Sequence, residues 1–158
     1  MYVCGPTVYD EPHIGHLRSA YVFEVIRNYL TYSGYQVKFV RNVTDVDDKI
    51  IEKARSAGAQ DLNQEAAAIS KKYFGLYKSD LDKLAIPTPT VEPKATEHVP
   101  PMIELIQKLI QKEQAYESGG DVYFDVNRFQ AYGKLSNQKK EAMMESSRKL
   151  ILELLDWH

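Results

Sequence analysis

The first 44 residues carry a strand–helix–strand pattern, and this pattern constrains the fold more than any other feature of the chain. Residues 1–4 form a short apolar run that ends at Gly5-Pro6, and residues 37–43 alternate in character as a strand does. Between these segments, over residues 15–33, apolar side chains recur every three or four positions, as on a helix. The pattern predicts two parallel strands joined by a right-handed crossover through a helix.

The remainder of the chain reads mostly as helix. Helical patterns cover residues 45–57, 61–84 and 102–110, and a proline-rich connector occupies residues 86–93. A strand is predicted at residues 121–126 and a charged helical tail at residues 137–158. In the long helix the predicted core contacts are Ala66, Ile69, Tyr73, Leu76 and Leu81. The fold class is therefore α/β, with a parallel sheet followed by a mostly helical region.

Composition excludes several classes of protein. The 158 residues include 20 Lys and Arg against 22 Asp and Glu, and a net charge of −2 argues against a basic nucleic-acid clamp, so no DNA partner is expected. No apolar run is long enough to span a bilayer, so no membrane association is expected. The single cysteine, Cys4, excludes an internal disulfide and suits a reducing compartment, which predicts a cytoplasmic protein.

The predicted topology brings four chemically active side chains to one edge of the sheet. Cys4 follows the first strand and Thr44 the second, and in a parallel sheet ligands bind at the carboxyl ends of the strands. His13 and His16 begin the intervening helix, whose N-terminus favours anions. Their N–H groups could donate to phosphate oxygens, and Gly15 would let a flat ring approach the backbone. The simpler alternative is that both histidines are surface residues near a helix cap.

Three acidic residues after the second strand allow two interpretations. Asp45, Asp47 and Asp48 could bind magnesium, or they could begin the next helix with Thr44 or Asp45 as its cap. Capping is favoured because it needs no further ligand. His98 is likewise interpreted as a helix-start residue rather than a ligand.

Four sequence blocks, in order, resemble one known family. They are Tyr2-Val-Cys-Gly-Pro-Thr-Val-Tyr-Asp10, His13-Ile-Gly-His16, Asn42-Val-Thr-Asp-Val-Asp-Asp-Lys-Ile-Ile51, and the run from Ala95-Thr-Glu-His98 through Gly120-Asp-Val-Tyr-Phe-Asp-Val126 to Tyr132-Gly-Lys-Leu-Ser136. Together they resemble the cysteinyl-tRNA synthetases, a family of class I aminoacyl-tRNA synthetases. The resemblance implies a Rossmann-like catalytic fold whose first half covers residues 1–55. A connective insertion would cover residues 56–136, and residues 137–158 stay unassigned.

The resemblance also implies an activity and roles for individual residues. It implies ATP-dependent activation of L-cysteine to cysteinyl-adenylate and transfer to tRNA, with Mg²⁺ accompanying ATP. His13 and His16 match the histidines that stabilise the α-phosphate region, and Gly15 completes that ATP-binding signature. Cys4 matches a zinc ligand, and a thiolate on zinc would distinguish cysteine from serine. The positions that match the cysteine pocket are Gly5, Thr7 and Thr44.

Departures from the family pattern leave other functions open. The remaining family zinc ligands include a second cysteine, which this chain lacks. Lys134-Leu-Ser136 is followed by Asn137 and Gln138, so the phosphate-gripping Lys-Met-Ser-Lys-Ser loop is also missing. The chain is therefore expected to be a fragment, weakly active or inactive by itself. The alternatives are a ligase that joins cysteine to an amino sugar, and a non-catalytic nucleotide-binding module.

Overall fold

The structure is a computed structural model that describes residues 1–137. Its contacts divide the chain into two compact units, with the boundary between His98 and Val99. The tail predicted to be helical, together with its basic residues Lys139, Lys140, Arg148 and Lys149, lies outside the described residues. No helix in the described part of the chain is long and apolar enough to cross a membrane.

The first unit contains the predicted pair of parallel strands. β1 (Tyr2–Val3) pairs in parallel with β2 (Val40–Arg41), and α1 (Ile14–Tyr32) connects them. The predicted fold class and the predicted helix are thus confirmed. Both strands are shorter than the seven residues expected for the second, although a parallel bridge between Thr7 and Thr44 continues the pairing past them.

A third extended segment runs parallel to β2 on its other side. Val91 bridges Val40, and Lys94 bridges Val43. The Arg41 and Val43 amides donate to the carbonyls of Val91 and Pro93, at 3.1 and 2.8 Å. Residues 86–93 are extended as predicted, and they do more than connect helices, because this segment adds hydrogen bonds to the sheet.

Two helices that follow β2 in the chain pack against each other. α2 (Asp48–Ser56) and α3 (Leu62–Lys83) bury a common cluster of Ile50, Ala54, Ala66 and Ile69. The prediction that Leu76 belongs to the core is wrong, since its side chain is 39% exposed. Tyr77, its neighbour, is buried instead.

Helix α1 packs through a small residue, Ala20, rather than through its most apolar side chains. Ala20 joins a buried cluster with Tyr77, Leu81 and Ile86, which attaches α1 to α3 and to the segment that follows α3. The apolar residues that gave α1 its periodicity are more exposed, and they include Tyr21, Val22, Val25, Ile26 and Tyr29. Periodicity therefore predicted the helix correctly without identifying its buried side.

The second unit begins with α4 (Val99–Gln111), which follows a short 3₁₀ turn at Thr96–His98. A hairpin comes next, in which β3 (Ala115–Ser118) pairs antiparallel with β4 (Asp121–Phe124). Gly119 and Gly120 form its two-residue turn with φ of 64° and 88°, a conformation that glycine adopts without strain. The strand predicted at residues 121–126 is thus present, and β3 is an element that the sequence pattern did not indicate.

The division between compact units differs from the predicted domain boundary. By contact, α3 and the extended segment beside β2 belong with β1 in the first unit, which ends at His98. The predicted boundary after residue 55 marks the start of the insertion that the family resemblance implies. It stays a prediction.

Candidate active site

Two histidines cap α1 in a reciprocal arrangement. His13 is the N-cap residue, and its Nδ1 accepts a hydrogen bond from the Gly15 amide at 3.1 Å. The His16 Nδ1 accepts from the His13 amide at 3.3 Å, and the two ring centroids are 3.9 Å apart. Two amides that the helix itself cannot satisfy are therefore bonded by imidazoles rather than by the usual hydroxyl and carboxylate pair.

This capping fixes the tautomer of each ring in its neutral form. Because each Nδ1 accepts a hydrogen bond, the proton of each neutral ring lies on Nε2, which can donate to a ligand. Burial lowers the pKa of His16, and the charge of a protonated His13 lowers it further. His16 is therefore a neutral hydrogen-bond donor at pH 7, beside the positive end of the α1 dipole.

Gly15 is required here for a reason that the sequence did not indicate. A Cβ at this position would lie 2.8 Å from the His13 Cε1, so a larger residue would displace the capping ring. The room expected for a flat ligand ring above Gly15 is occupied in part by the His13 imidazole. Gly15 thus contributes to the site by allowing His13 to fold over the first turn.

A cleft of about 190 Å³ lies between the end of β1, the start of α1 and β2. Of the predicted site residues, its lining includes Cys4, Gly5, Gly15 and His16. His13 is not a lining residue among those described, but it stacks on His16. The predicted convergence of thiol and imidazole at this edge of the sheet is therefore present.

The two predicted threonines lie together but outside the lining of this cleft. Thr7 and Thr44 form a parallel bridge, in which the Thr44 amide donates to the Pro6 carbonyl at 3.1 Å. The Thr44 hydroxyl accepts from the Asn42 side-chain amide at 3.4 Å. The thiol, the threonine hydroxyl and both imidazoles were expected to face one shared cleft. The Cys4 thiol and the His16 imidazole do so, and Thr44 lies outside the lining.

Gly5 holds the cleft wall close to β2. Its amide donates to the Asn42 Oδ1 at 2.9 Å, and a Cβ would lie 1.6 Å from the Asn42 carbonyl oxygen. No side chain fits there without moving the backbone. The residue that matches the cysteine pocket therefore also has a clear packing role.

The acidic residues after β2 have separate structural partners. Asp47 caps α2, since its carboxylate accepts from the Lys49 amide at 3.1 Å. Asp45 instead accepts from the Thr96 amide and hydroxyl, at 3.0 and 2.6 Å. Capping is the correct interpretation for this segment, but the expected cap, Thr44 or Asp45, is wrong by two or three positions. His98 donates from Nδ1 to the Lys94 carbonyl at 2.8 Å, just before α4.

The described residues do not complete a zinc site. Cys4 is a free, exposed thiol, and residues 1–137 contain no group of three histidine, cysteine or carboxylate side chains placed to hold a metal ion. A tetrahedral zinc needs three or four protein donors. Cys4 can therefore supply one donor at most.

Sequence reasoning missed the arginine that lines the cleft. Arg41 lines it from β2, although it is only 3% exposed. Its alternation with Phe39 and Val43 indicated a strand residue, and only the topology reveals that its side chain reaches the same cleft as His16.

The parallel strands, the crossover helix and the histidine pair at its N-terminus define a class of protein. The family model described as "tRNA synthetases class I (C) catalytic domain" matches residues 1–153, so the chain belongs to this family. Curated relatives named "Cysteine--tRNA ligase" include those of Syntrophobacter fumaroxidans and Thermodesulfovibrio yellowstonii. They are 48% and 50% identical to the chain over 93% and 94% of its length.

An archaeal relative gives the same result. The protein named "Cysteine--tRNA ligase" from Archaeoglobus fulgidus is 49% identical over 90% of this chain. The aligned regions make up 29% to 30% of these three relatives, so the chain spans about a third of their length.

Proposed function

We propose that the chain is the part of a cysteine–tRNA ligase that binds ATP and activates L-cysteine for transfer to tRNA. The observation that carries this proposal is the pair of imidazoles that cap the N-terminus of α1, beside a cleft that also contains the Cys4 thiol. Family membership supports it, as do the names of the relatives. Those names do not favour the amino-sugar ligase or the non-catalytic module.

The proposed reaction needs hydrogen-bond donors rather than a protein nucleophile. A cysteine carboxylate oxygen attacks the α-phosphorus of ATP in line, the bond to the bridging oxygen breaks, and pyrophosphate leaves with its electron pair. Negative charge then shifts onto the pyrophosphate and the phosphate oxygens. The Nε2–H groups of His13 and His16 would donate to those oxygens, because both Nδ1 atoms already accept from the backbone. Gly15 completes the proposed ATP-binding residues.

The remaining site assignments belong to the same proposal. Gly5, Thr7 and Thr44 are proposed to line the pocket for the cysteine substrate. The backbone bridge between Thr7 and Thr44, and the bond from the Gly5 amide to Asn42, support a rigid wall at that position. Cys4 is proposed as one zinc ligand, completed by donors outside residues 1–137. Mg²⁺ is proposed to accompany ATP. The cytoplasm is the proposed location, from the single free thiol.

The domain assignment is also a proposal. Residues 1–55 would form the first half of the nucleotide-binding fold, and residues 56–136 the connective insertion. The helical character of α3 and α4, and the short hairpin after them, support a mostly helical insertion. Residues 137–158 have no assigned role.

Cysteine-dependent exchange of labelled pyrophosphate into ATP tests the activation step. We expect His16→Ala to lower the exchange rate about a hundredfold, as loss of one transition-state donor does. His16→Asn separates the two roles of the ring, since it keeps an acceptor for the His13 amide but shortens the reach of the donor. His98→Ala is the matched control and should exchange like the parent protein. Exchange that is unchanged in His16→Ala would remove this residue from the proposed mechanism.

The acceptor is tested separately with radiolabelled cysteine. The proposal predicts ATP-dependent transfer of label to tRNA and none to an amino sugar. The reverse result would assign the cysteine-adenylating half to the other ligase. Because the chain spans only part of its relatives, both assays use the longer protein where the chain is a part of one.

A further inference from the structure

Arg41 is a buried cation that has no hydrogen-bond partner within residues 1–137. It lies on β2 and is 3% exposed, and its Nε, Nη1 and Nη2 atoms make no hydrogen bond to any described residue. A guanidinium carries five N–H donors, and burying them unpaired is costly. Such an arrangement is expected where a ligand supplies the missing acceptors.

The carboxylate nearest to Arg41 does not satisfy it. Glu92 Oε1 lies 3.9 Å from Nη2, which is beyond hydrogen-bond distance. The other oxygen of Glu92 lies 3.5 Å from the Lys78 ammonium, so one carboxylate is shared between two cations. Glu92 therefore reduces the cost of the buried charge and leaves the donors of Arg41 available.

Two aromatic rings hold the guanidinium in place. Its carbon lies 5.9 Å from the Phe39 ring centroid and 5.6 Å from the Tyr77 ring centroid. Both rings line the same cleft as Arg41. Burial raises the pKa of the Tyr77 phenol, so Tyr77 stays neutral and provides no counter-ion. The cation is thus positioned by cation–π contacts with two rings that line the cleft.

The other features of the cleft also favour an anion. His16 lines it and carries its donor proton on Nε2, and the cleft adjoins the positive end of α1. Gly5 keeps the strand wall open beside Arg41, since a Cβ at Gly5 would lie 3.4 Å from the Arg41 Cγ. A cation, a neutral donor and a helix dipole therefore act on one small space.

We propose that Arg41 binds an oxyanion, a carboxylate or a phosphate, of the ligand that occupies this cleft. The inference rests on the proposed function, in which that group is the carboxylate of the amino acid or a phosphate of the nucleotide. Planar bidentate hydrogen bonding suits both groups. Arg41 is then a binding residue that orients the reacting oxyanion beside His16.

Nuclear magnetic resonance of the arginine side chains tests anion binding by Arg41 in the unmodified chain. The method also detects ligands that bind weakly. The probes are two matched pairs, AMP with adenosine and cysteine with cysteamine, in which the second member lacks the anionic group. We expect the Arg41 Nε–H signal to shift with AMP, cysteine or both, and not with adenosine or cysteamine. The pair that responds identifies the phosphate or the carboxylate as the bound group.

Variants give the matching affinity measurement. Arg41→Gln should weaken binding of the responding anion by about tenfold to a hundredfold, as loss of a charged hydrogen bond does, and leave its neutral counterpart unchanged. Arg41→Lys, which keeps the charge but not the planar fork, should recover part of the loss. Arg55→Gln, an exposed arginine paired with Glu52, is the control and should bind like the parent chain.

The outcomes separate this inference from the proposed function. If AMP or cysteine shifts the Gly15 and His16 amides while the Arg41 signal stays fixed, the role of Arg41 is overturned and the proposed function stands. If no ligand shifts any amide, both are overturned. Glu92→Gln decides against a purely structural ion pair: anion binding should be retained or strengthened, and a loss equal to that in Arg41→Gln would contradict the proposal.

Discussion

At Gly5 the chain backbone passes so close to Asn42 that a side chain has no space. We expect Gly5→Ala to destabilise the protein by about 1–3 kcal/mol or more, because the backbone must move away from the Asn42 carbonyl. Gly75→Ala is a suitable control, since Gly75 lies within α3 and its Cβ would contact nothing within 4 Å. That change should stabilise α3 by about 0.5–1 kcal/mol. Urea unfolding of both variants measures the difference, and similar shifts in the two would contradict the close approach.

His16 gives the chain a pH dependence with a definite sign. Its pKa in the folded protein is lowered below the ordinary value of 6.5, so the folded state prefers the neutral ring. The stabilisation is complete above pH 6.5 and is lost as the pH falls below it, because the unfolded chain takes up the proton first. Urea unfolding from pH 8 to pH 5 should show this decline, and His16→Asn should lack it. An imidazole pKa at or above 6.5, measured by proton resonance, would refute the assignment.

The helix ends are where sequence reasoning was both strong and incomplete. The start of α1 at His13 was predicted to within a residue or two because capping and periodicity are local properties. The cap of α2 was misplaced because several adjacent residues, including Asp45 and Asp47, are all good caps. Only the approach of Thr96, 51 residues away, shows that Asp45 serves a different partner.

The cap of α2 can be tested by removing it. Asp47→Ala should cost about 1 kcal/mol of stability, because the Lys49 amide loses its acceptor. Glu52→Ala on the exposed side of the same helix should change stability by less than about 0.5 kcal/mol. Thermal unfolding followed by circular dichroism measures both. If Asp45→Ala proved costly and Asp47→Ala neutral, the cap would have to be reassigned.

At the scale of the whole molecule, the parallel pairing on the far side of β2 could not be predicted. Three prolines in residues 86–93 suppress the local strand pattern, whereas the pairing depends on Phe39 and Val43 some fifty positions earlier. The place of Arg41 in the cleft could not be predicted for a similar reason, because the Tyr77 ring that contacts it belongs to α3, far along the chain. Local patterns thus predicted which elements form, and the long-range contacts determined what their side chains meet.

A pair of adjacent proline substitutions tests that long-range pairing. The Ala95 amide donates to the Val43 carbonyl at 3.1 Å, so Ala95→Pro removes this bond and leaves a buried acceptor. We expect a loss of about 1–3 kcal/mol and faster hydrogen exchange at the β1 and β2 amides. Lys94→Pro is the control, because the Lys94 side chain faces an exposed pair with Glu97 and its amide is not used in this pairing. Equal effects would indicate that the segment does not belong to the sheet.

The position of the one sulfhydryl has a practical consequence. Cys4 is the sole cysteine of the chain, it is exposed, and it sits at the rim of the space that Arg41 and His16 share. A maleimide-linked fluorophore would therefore attach at a single, known point and report on small molecules entering beside it, without any engineered label.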